Sequence, residues 1–238
     1  MAIYLPELDP LQLRFPPVAQ ALAEPDGLLA MGGDLSVERL WLAYRSGIFP
    51  WFSDGDPLLW WSPATRAVFP PDSLGFNRSL RKQWQRANLH LTLNQAFNAV
   101  VQGCAAPRKN QPETWILPPM QQAYQRLHQH GYAHSIEVWQ NKQLVGGLYG
   151  IAVGGLFCGE SMFNRVPNAA KFALVALQQH IRHYAAGWID CQLPNPFLHQ
   201  LGAKSINRPQ YLSLLQQQTQ ISGPADHWQP QSLSLHHE

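Results

Sequence analysis

The chain has 238 residues, a length that suits one large domain or a small domain joined to a medium-sized one. An apolar fraction of 45% is enough for a buried core, whereas only 13% of the residues are charged, well below the usual quarter. No run of about 18 apolar residues is present, so no membrane-spanning helix is expected. A signal peptide is not indicated at the N-terminus, and the three cysteines lack Cys-x-x-Cys spacing. These features argue against a disulfide framework or a zinc site and predict a soluble cytoplasmic protein.

The first 70 residues are rich in Pro, Gly and Trp and predict a small, irregular N-terminal α/β domain. One helix is indicated there, from Ser36 to Ser46. Ser36 is a suitable N-cap, Glu38 lies in the first turn where the helix dipole favours an acid, and Gly47 can end the helix.

Three further helices are predicted over residues 77–86, 94–104 and 118–131. The second has Asn94 as its expected N-cap. The third opens with two prolines, which fit the first turn of a helix, and ends at Gly131.

Strand-like alternation begins at residue 134 and predicts a hairpin of residues 134–139 and 144–153. A short strand follows at 156–158, and Asn168 is expected to cap a helix to about residue 186. Residues 188–193 read as a buried strand, and a last helix starts at Asn207. This order predicts an α+β sheet domain with a crossover. The predicted division is a small domain over 1–70, a sheet domain over 71–218 and a polar, flexible tail over 219–238.

A basic stretch without Asp or Glu extends from residue 73 to 112 in a chain whose net charge is only +2. Its positive residues are Arg78, Arg81, Lys82, Arg86, Arg108 and Lys109. The first four fall on one side of the helix predicted over 77–86. Such a cluster is typical of phosphate contacts, and an ordinary solvated helix face is the alternative.

Two segments carry polar residues at positions that would suit a core. Glu160 lies among apolar residues where the strand at 156–158 is expected to end, so it is either an exposed turn residue or a buried carboxylate with partners. Asp190 and Gln192 would point to the same face of the strand over 188–193, because side chains alternate along a strand. They form either a satisfied structural pair or a polar site at the end of a central strand.

Other catalytic patterns are missing from the sequence. The ten histidines do not form the His-x-x-x-His pattern with a Glu that marks a zinc helix. Neither a phosphate-binding Gly-rich loop nor a Gly-x-Ser-x-Gly nucleophile motif is present. The sequence therefore gives no reason to expect a metal or a nucleotide cofactor.

Eight stretches that follow one another in the same order resemble the bacterial leucyl/phenylalanyl-tRNA–protein transferases, between about Pro25 and Tyr211. They are residues 25–35 (PDGLLAMGGDL), 47–52 (GIFPWF), 60–63 (WWSP), 114–116 (TWI), 134–139 (HSIEVW), 146–150 (GGLYG), 157–163 (FCGESMF) and 190–192 (DCQ). Any one of them is weak, but the colinear set is specific.

The resemblance implies a small domain followed by a GNAT-like (acetyltransferase-like) sheet domain that works as a monomer without cofactor or metal. The implied reaction moves Leu, Phe or, less well, Met from aminoacyl-tRNA onto acceptor proteins with N-terminal Arg or Lys, which marks them for degradation. By this analogy Asp190 and Gln192 lie at the reaction centre and Glu160 holds the basic acceptor residue. Trp51 and Trp115 would hold the terminal adenosine of the tRNA. An apolar pocket for the transferred side chain would be formed by Leu148, Phe157, Leu174 and Leu177, and Arg81 and Lys82 would touch the acceptor stem.

Two rival functions remain open. An acetyl-CoA-dependent N-acetyltransferase would need a Gly-rich turn of backbone amides, but residues 162–168 contain no Gly and include a Pro. A non-catalytic RNA-binding module would account for the basic stretch and the nine Trp, but it leaves Asp190, Gln192 and Glu160 unexplained.

Overall fold

Two mixed β-sheets organise the chain in the computed structural model, which describes residues 4–107 and 114–236. Arg108 and Lys109 of the basic stretch lie outside the described residues. The small sheet has the strands β1 (Glu7–Leu8), β2 (Leu28–Gly32), β3 (Phe49–Pro50) and β4 (Leu59–Trp61). The large sheet has the strands β5 (Thr65–Phe69), β6 (Leu89–Leu93), β7 (Ala133–Gln140), β8 (Gln143–Val153), β9 (Leu156–Asn164), β10 (Trp188–Asp190), β11 (Lys204–Asn207) and β12 (Gln231–Leu233).

Helices cover both faces of the large sheet. They are α1 (Val37–Arg45), α2 (Arg78–Ala87), α3 (Phe97–Ala105), α4 (Pro118–Gln129), α5 (Ala169–Ile181), α6 (Pro196–Leu201) and α7 (Arg208–Gln218), with a short 3-10 helix at Val18–Gln20. One core joins α1, α3, α4 and α7, and the other joins α2, α5 and α6 to the opposite face. The chain is therefore a mixed α/β protein, and none of its described helices has the length and apolar content needed to cross a bilayer.

The strand order of the large sheet is β11-β5-β10-β9-β8-β7-β6-β12. Neighbouring strands are antiparallel except β9 and β10, which are parallel and pair from Leu156 with Trp188 to Cys158 with Asp190. Beyond that last pair the two strands no longer share hydrogen bonds. The polar residues that the sequence analysis singled out lie at this end of the parallel pair.

Helices with local capping signals begin where the sequence predicted. The side chains of Ser36, Asn77 and Asn207 each accept a backbone N–H from the first turn of α1, α2 and α7. The two prolines open α4 as expected. These four predictions are confirmed.

The helix predicted from Asn94 starts later, at Phe97, and Asn94 is not its cap. Asn94 adopts a left-handed φ of 55°, and its side chain accepts the Ser135 N–H at 2.9 Å. The N-terminus of α3 is held instead by Glu137, whose carboxylate accepts the N–H groups of Gln95 and Ala96, each at 3.3 Å. Burial raises the pKa of Glu137, and these donors limit the rise. A cap that comes from 41 residues away leaves no local signal.

The helix α5 and the strand β7 also have features that the sequence did not predict. α5 ends at Ile181 rather than near residue 186, and Asn168 has a left-handed φ of 64° and makes no side-chain cap. Its side chain donates to Gln83 of α2 instead. β7 is buried over residues 133–138, because α3 and α4 pack on one face of the sheet and α5 on the other.

The C-terminal segment is tied to the sheet, where the sequence predicted a free tail. Residues 231–233 form β12 and pair antiparallel with β6. Trp228 stacks on His134 with 4.1 Å between ring centroids, which anchors the segment in the second core. At the other end of the large sheet, β5 lies within the predicted small domain, yet it pairs with β10 and β11.

Candidate active site

A cavity of about 440 Å³ lies next to the last residue pair of the parallel strands β9 and β10. Its walls come from β8, the second half of β9, α5, the residues after β10, and α6. Glu160 and Gln192 both line this cavity, and Asp190 lies just behind it, fully buried. The structure thus brings together the three polar residues that the sequence singled out from two distant segments.

Glu160 occupies a β-bulge rather than the end of a strand. Tyr149 pairs with Ser161 and Gly150 pairs with Gly159, so Glu160 is the extra residue on β9, which continues to Asn164. A bulge turns one side chain away from the regular alternation of the strand. The expectation that the strand ends before Glu160 is therefore wrong, although the residue does stand at an irregularity.

The Glu160 carboxylate is held by neutral donors. Its Oε2 accepts a hydrogen bond from the Tyr124 hydroxyl, and its Oε1 accepts one from Gln192 Nε2 at 3.0 Å. Burial raises the pKa of Glu160 to about 7, while the hydroxyl groups of Tyr124 and Tyr44 limit the rise. Near neutral pH this carboxylate therefore exists in both protonation states.

Asp190 forms a buried ion pair with Arg66 of β5. Arg66 Nε lies 2.8 Å from Asp190 Oδ1 and Arg66 Nη2 lies 2.7 Å from Oδ2, a bidentate arrangement. The Tyr211 hydroxyl donates to Oδ2 at 2.9 Å. Burial alone would lower the pKa of Arg66, but the Asp190 charge outweighs it and the pKa stands above its ordinary value. The carboxylate of Asp190 is thus occupied by residues of the protein itself.

Gln192 follows β10 and does not continue it, because its φ of 55° is left-handed. Its backbone N–H donates to Asp190 Oδ1 at 2.9 Å, and its carbonyl accepts the Ala67 N–H at 3.1 Å. The expectation that Asp190 and Gln192 share one strand face is therefore wrong. Asp190 fixes the backbone of Gln192, whereas Glu160 fixes its side chain.

The orientation of the Gln192 amide follows from its partner. A carboxylate only accepts hydrogen bonds, so the amide must turn its NH₂ group toward Glu160. The amide oxygen of Gln192 has no hydrogen-bond partner among the interactions described for residues 4–107 and 114–236. It is therefore the atom of this side chain that can accept a hydrogen bond from a ligand.

Three of the four predicted apolar pocket residues line the cavity, namely Leu148, Leu174 and Leu177. Phe157 does not line it. Its ring is fully buried in the second core and stacks against Trp228, with 5.8 Å between centroids. Phe157 packs against the C-terminal segment through Trp228. The sequence predicted this segment to be a flexible tail.

The two predicted adenosine-binding tryptophans lie outside the cavity lining. Trp51 is 41% exposed and contacts Trp61 edge-on, and the Trp61 indole N–H donates to the Trp51 carbonyl at 2.7 Å. Trp115 is partly buried against the first core, just before α4. Both indoles are therefore partly accessible, on segments that precede β8, β9 and β10 in the chain.

The basic residues of α2 occupy its solvent side. Leu80 and Trp84 pack toward α5, while Arg78, Lys82 and Arg86 are exposed and Arg81 is partly buried. The side-chain contact between Gln83 and Asn168 joins α2 to the N-terminus of α5, the helix that lines the cavity. The four cations thus lie on a helix packed against one wall of the cavity.

Four residues of this site were missed by sequence reasoning. Arg66 and Tyr211 hold Asp190, and Tyr124 and Tyr44 lie behind Glu160. Arg66 could have been noticed, because it is a lone charge in the apolar strand TRAVF. The tyrosines could not, since a single tyrosine on an apolar helix face is ordinary.

Another cavity, of about 360 Å³, lies between α5 and residues 224–236 and is lined by His180, His183 and His227. None of the residues predicted from the sequence lines it. Across residues 4–107 and 114–236, no group of three or more His, Cys, Asp and Glu side chains is arranged to bind a metal ion. The acid–amide chemistry is thus concentrated at the first cavity.

Comparison with known proteins gives matches over nearly the whole chain. The family model for leucyl/phenylalanyl-tRNA protein transferase matches residues 68–216, and the model for the N-terminal domain of that family matches residues 33–64. A leucyl/phenylalanyl-tRNA–protein transferase from Tolumonas auensis is 53% identical over 235 residues, covering 99% of this chain and all of that protein. One from Pseudomonas aeruginosa is 54% identical over 202 residues, covering 85% and 89%.

The similarity to one solved structure is much more distant. The structure of L-PGS from Bacillus licheniformis aligns with a TM-score of 0.40 and 11% identity, covering 86% of this chain and 66% of that one. A similarity this weak adds nothing to the argument.

The matched relatives and the cavity, in which an amide and a carboxylate border an apolar wall, define an aminoacyltransferase. More particularly, the chain belongs to the leucyl/phenylalanyl-tRNA–protein transferase family.

Proposed function

We propose that this aminoacyltransferase moves Leu, Phe and, less well, Met from aminoacyl-tRNA to the α-amino group of cytoplasmic proteins that begin with Arg or Lys. The product carries a new N-terminal residue that marks it for degradation. The observation that carries the proposal is the 3.0 Å contact between Gln192 and Glu160 at the wall of an apolar cavity. It joins a group that can orient an amine to a group that can bind a cation.

The donor side is supported by the apolar wall formed by Leu148, Leu174 and Leu177. An apolar pocket discriminates poorly between similar unbranched side chains, by about 1–3 kcal/mol for one methylene. Transfer of some Met beside Leu and Phe follows from this limit. Side chains branched at Cβ are excluded by shape rather than by polarity.

The acceptor side depends on the negative charge of Glu160. No Lys or Arg forms an ion pair with it in the described part of the chain, so its charge is available to a ligand. A basic N-terminal side chain would supply charge-assisted hydrogen bonds to the free lone pairs of the carboxylate. Asp190 does not share this role, because Arg66 neutralises it.

The reaction needs alignment more than it needs a strong base. An ester donor makes amide formation favourable, and an α-amine with a pKa of about 7.7–8.0 is partly neutral near pH 7. The Gln192 amide oxygen accepts one N–H of the amine. This hydrogen bond points the lone pair of the amine nitrogen at the ester carbonyl carbon. The C–N bond forms, the bond to the 3′-oxygen breaks, and the amine proton reaches that oxygen through water or the 2′-hydroxyl. Alignment of this kind can contribute about 7–11 kcal/mol at best.

The tRNA would be held away from the reacting atoms. Trp51 and Trp115 are proposed to stack on its terminal adenosine, and α2 to contact phosphates through Arg78, Arg81, Lys82 and Arg86. Phosphate contacts position a nucleic acid without reading its sequence. The amino acid is then selected by the cavity and not by the basic helix.

The overall organisation belongs to the same proposal. The chain would comprise a small N-terminal domain and a GNAT-like catalytic domain, acting as a monomer. A mixed sheet with one parallel pair, β9 and β10, flanking the cavity is compatible with that fold. Arg66 pairs with Asp190 and also donates to the Gly47 carbonyl at 3.3 Å, and these contacts would hold the two domains together.

A single transfer assay tests the function. The protein is mixed with tRNA charged with labelled Leu and with a peptide that begins with Arg, and the peptide mass is measured. A peptide longer by one Leu is expected, and it should not form when the peptide begins with Ala. Binding of the tRNA without a longer peptide would favour an RNA-binding module, and a calorimetric titration that detects acetyl-CoA binding would favour an acetyltransferase.

A further inference from the structure

A chain of two buried tyrosines leads from the small N-terminal part of the protein to Glu160. The Tyr44 hydroxyl of α1 lies 2.9 Å from the Tyr124 hydroxyl of α4, and the Tyr124 hydroxyl donates to Glu160 Oε2. Tyr44 is 1% exposed and Tyr124 is fully buried. Phenol groups that deep in an apolar core are costly unless each finds a partner.

The direction of the hydrogen bonds in this chain is fixed by counting protons. A tyrosine hydroxyl has one proton to donate. Because Tyr124 gives its proton to the ionised Glu160, the contact between the tyrosines must be donated by Tyr44. Both hydroxyl dipoles therefore point at the carboxylate, and each strengthens the other in a low-dielectric core. When Glu160 is protonated, this arrangement loses its acceptor charge.

Other titratable and charged groups also act on Glu160. Asp190 of β10 repels its charge, and Arg66 of β5 attracts it but spends its hydrogen bonds on Asp190, Tyr211 and the Gly47 carbonyl. Burial raises the pKa of Tyr149 of β8 and Cys158 of β9 and the Glu160 charge adds to the rise, so both stay neutral at ordinary pH. No cation among the described residues forms an ion pair with Glu160, so its negative charge is stabilised by neutral hydrogen-bond donors.

We propose that Tyr44 and Tyr124 are positioning residues that keep the Glu160 carboxylate ionised and aimed, with one oxygen fixing the Gln192 amide and the remaining lone pairs facing the cationic acceptor. The inference rests on the proposed function, because it names the residues that make the acceptor site anionic. A neutral dipole chain is suited to this role, since a lysine or arginine at the same place would occupy the charge that the substrate needs. Helix α1 thereby contributes to acceptor binding without touching the acceptor.

The consequence is a pH dependence whose sign can be worked out. Burial raises the pKa of Glu160 to about 7, so the ionised form dominates above that pH and is lost below it. The Tyr124 hydrogen bond stabilises the charged form and holds the pKa down. Tyr124→Phe removes that bond, so the pKa of Glu160 should rise further, by about one unit. As the pH is lowered, acceptor binding should then be lost about one pH unit earlier than in the wild type. Tyr44→Phe should act in the same direction and less strongly, because Tyr44 lowers the pKa of Glu160 less than Tyr124 does.

The first test measures kcat/KM for an Arg-starting peptide from about pH 5.5 to about 8.5 in wild type and in the two variants. Tyr184→Phe is the control, since it also loses a tyrosine hydrogen bond, a partly buried one at 3.0 Å to the Gly154 carbonyl, away from the site. The acid-side midpoint should move up in Tyr124→Phe and stay in place in Tyr184→Phe. The change should appear in the KM for the peptide and not in the KM for aminoacyl-tRNA. The α-amine of the peptide is common to all the enzymes, so it cancels in the comparison.

The second test follows Glu160 directly by a ¹³C-NMR titration of side-chain carboxylates, with the resonance assigned by its loss in Glu160→Gln. An upward shift of about one unit in Tyr124→Phe supports the inference, even in a variant that is too slow to assay. An unchanged Glu160 titration in that variant overturns it. Equal wild-type rates with Arg-starting and Ala-starting peptides would instead refute the proposed acceptor, while the NMR titration would still decide on the tyrosine chain.

Discussion

The buried ion pair between Asp190 and Arg66 allows a stability prediction with a clear magnitude. Asp190 is 0% exposed, and its carboxylate accepts four hydrogen bonds, two from Arg66, one from Tyr211 and one from the Gln192 N–H. Asp190→Asn keeps the shape of the side chain but removes its charge. It leaves the Arg66 guanidinium buried without a counter-ion, because its other acceptors, the Gly47 carbonyl and the Tyr211 hydroxyl, are neutral groups at 3.3 Å.

Removing one partner of such a pair costs about 3–5 kcal/mol, because the other charge stays buried and unpaired. We therefore expect Asp190→Asn to lower the free energy of unfolding by about 3–5 kcal/mol. The double variant Arg66→Met with Asp190→Asn should lose less than Asp190→Asn alone, since no uncompensated charge remains. Asp72→Asn is the control, because it breaks the exposed ion pair with Arg182 and should cost at most about 1 kcal/mol.

Urea unfolding of the four proteins, followed by far-UV circular dichroism, gives these free energies at one pH and salt concentration. A loss below about 1 kcal/mol in Asp190→Asn would refute the reasoning, because the carboxylate would then not be a buried counter-ion. Turnover should stay low in the double variant even where stability returns. This follows if Asp190 acts on the reaction through the backbone of Gln192, whose N–H it accepts at 2.9 Å, because an amide would hold that left-handed turn less firmly than a carboxylate.

Three further predictions concern the substrates. Glu160→Gln should raise the KM for an Arg-starting peptide by roughly 10-fold or more while changing the KM for Leu-tRNA little, and equal losses for both would contradict the assignment. The double variant Arg81→Ala with Lys82→Ala should reduce the slope of log(kcat/KM) against log[salt] by about 2, measured with charged tRNA at several salt concentrations, and an unchanged slope would remove α2 from the tRNA site. Leu148→Phe fills part of the cavity and should lower kcat/KM for Phe more than for Leu, by about 10-fold, whereas an unchanged ratio would place the transferred side chain elsewhere.

Local signals in the sequence were enough to predict much of the fold. The caps Ser36, Asn77 and Asn207 each act on a residue only three positions away, so α1, α2 and α7 could be located from sequence. Asn94 looked like a similar cap, but its helix is capped by Glu137 from another strand. Helix-capping propensity cannot show whether a distant side chain will replace the local cap.

The candidate site shows the same division between local and distant effects. Polar residues in apolar segments correctly drew attention to Glu160, Asp190 and Gln192. Their geometry could not be predicted, because the left-handed turn at Gln192 depends on Ala67 and the burial of Asp190 depends on Arg66, 124 residues earlier. Phe157 was assigned to the pocket by the family resemblance. Nothing near it in sequence shows that Trp228 covers it.

The central claim is that the amide of Gln192, fixed by Glu160, aligns the attacking amine. Gln192→Glu tests it most directly, because it keeps the size of the side chain and replaces the amide with a second carboxylate about 3 Å from Glu160. We predict that the single-turnover rate of Leu transfer to an Arg-starting peptide falls by about 100-fold. An undiminished rate would contradict the account.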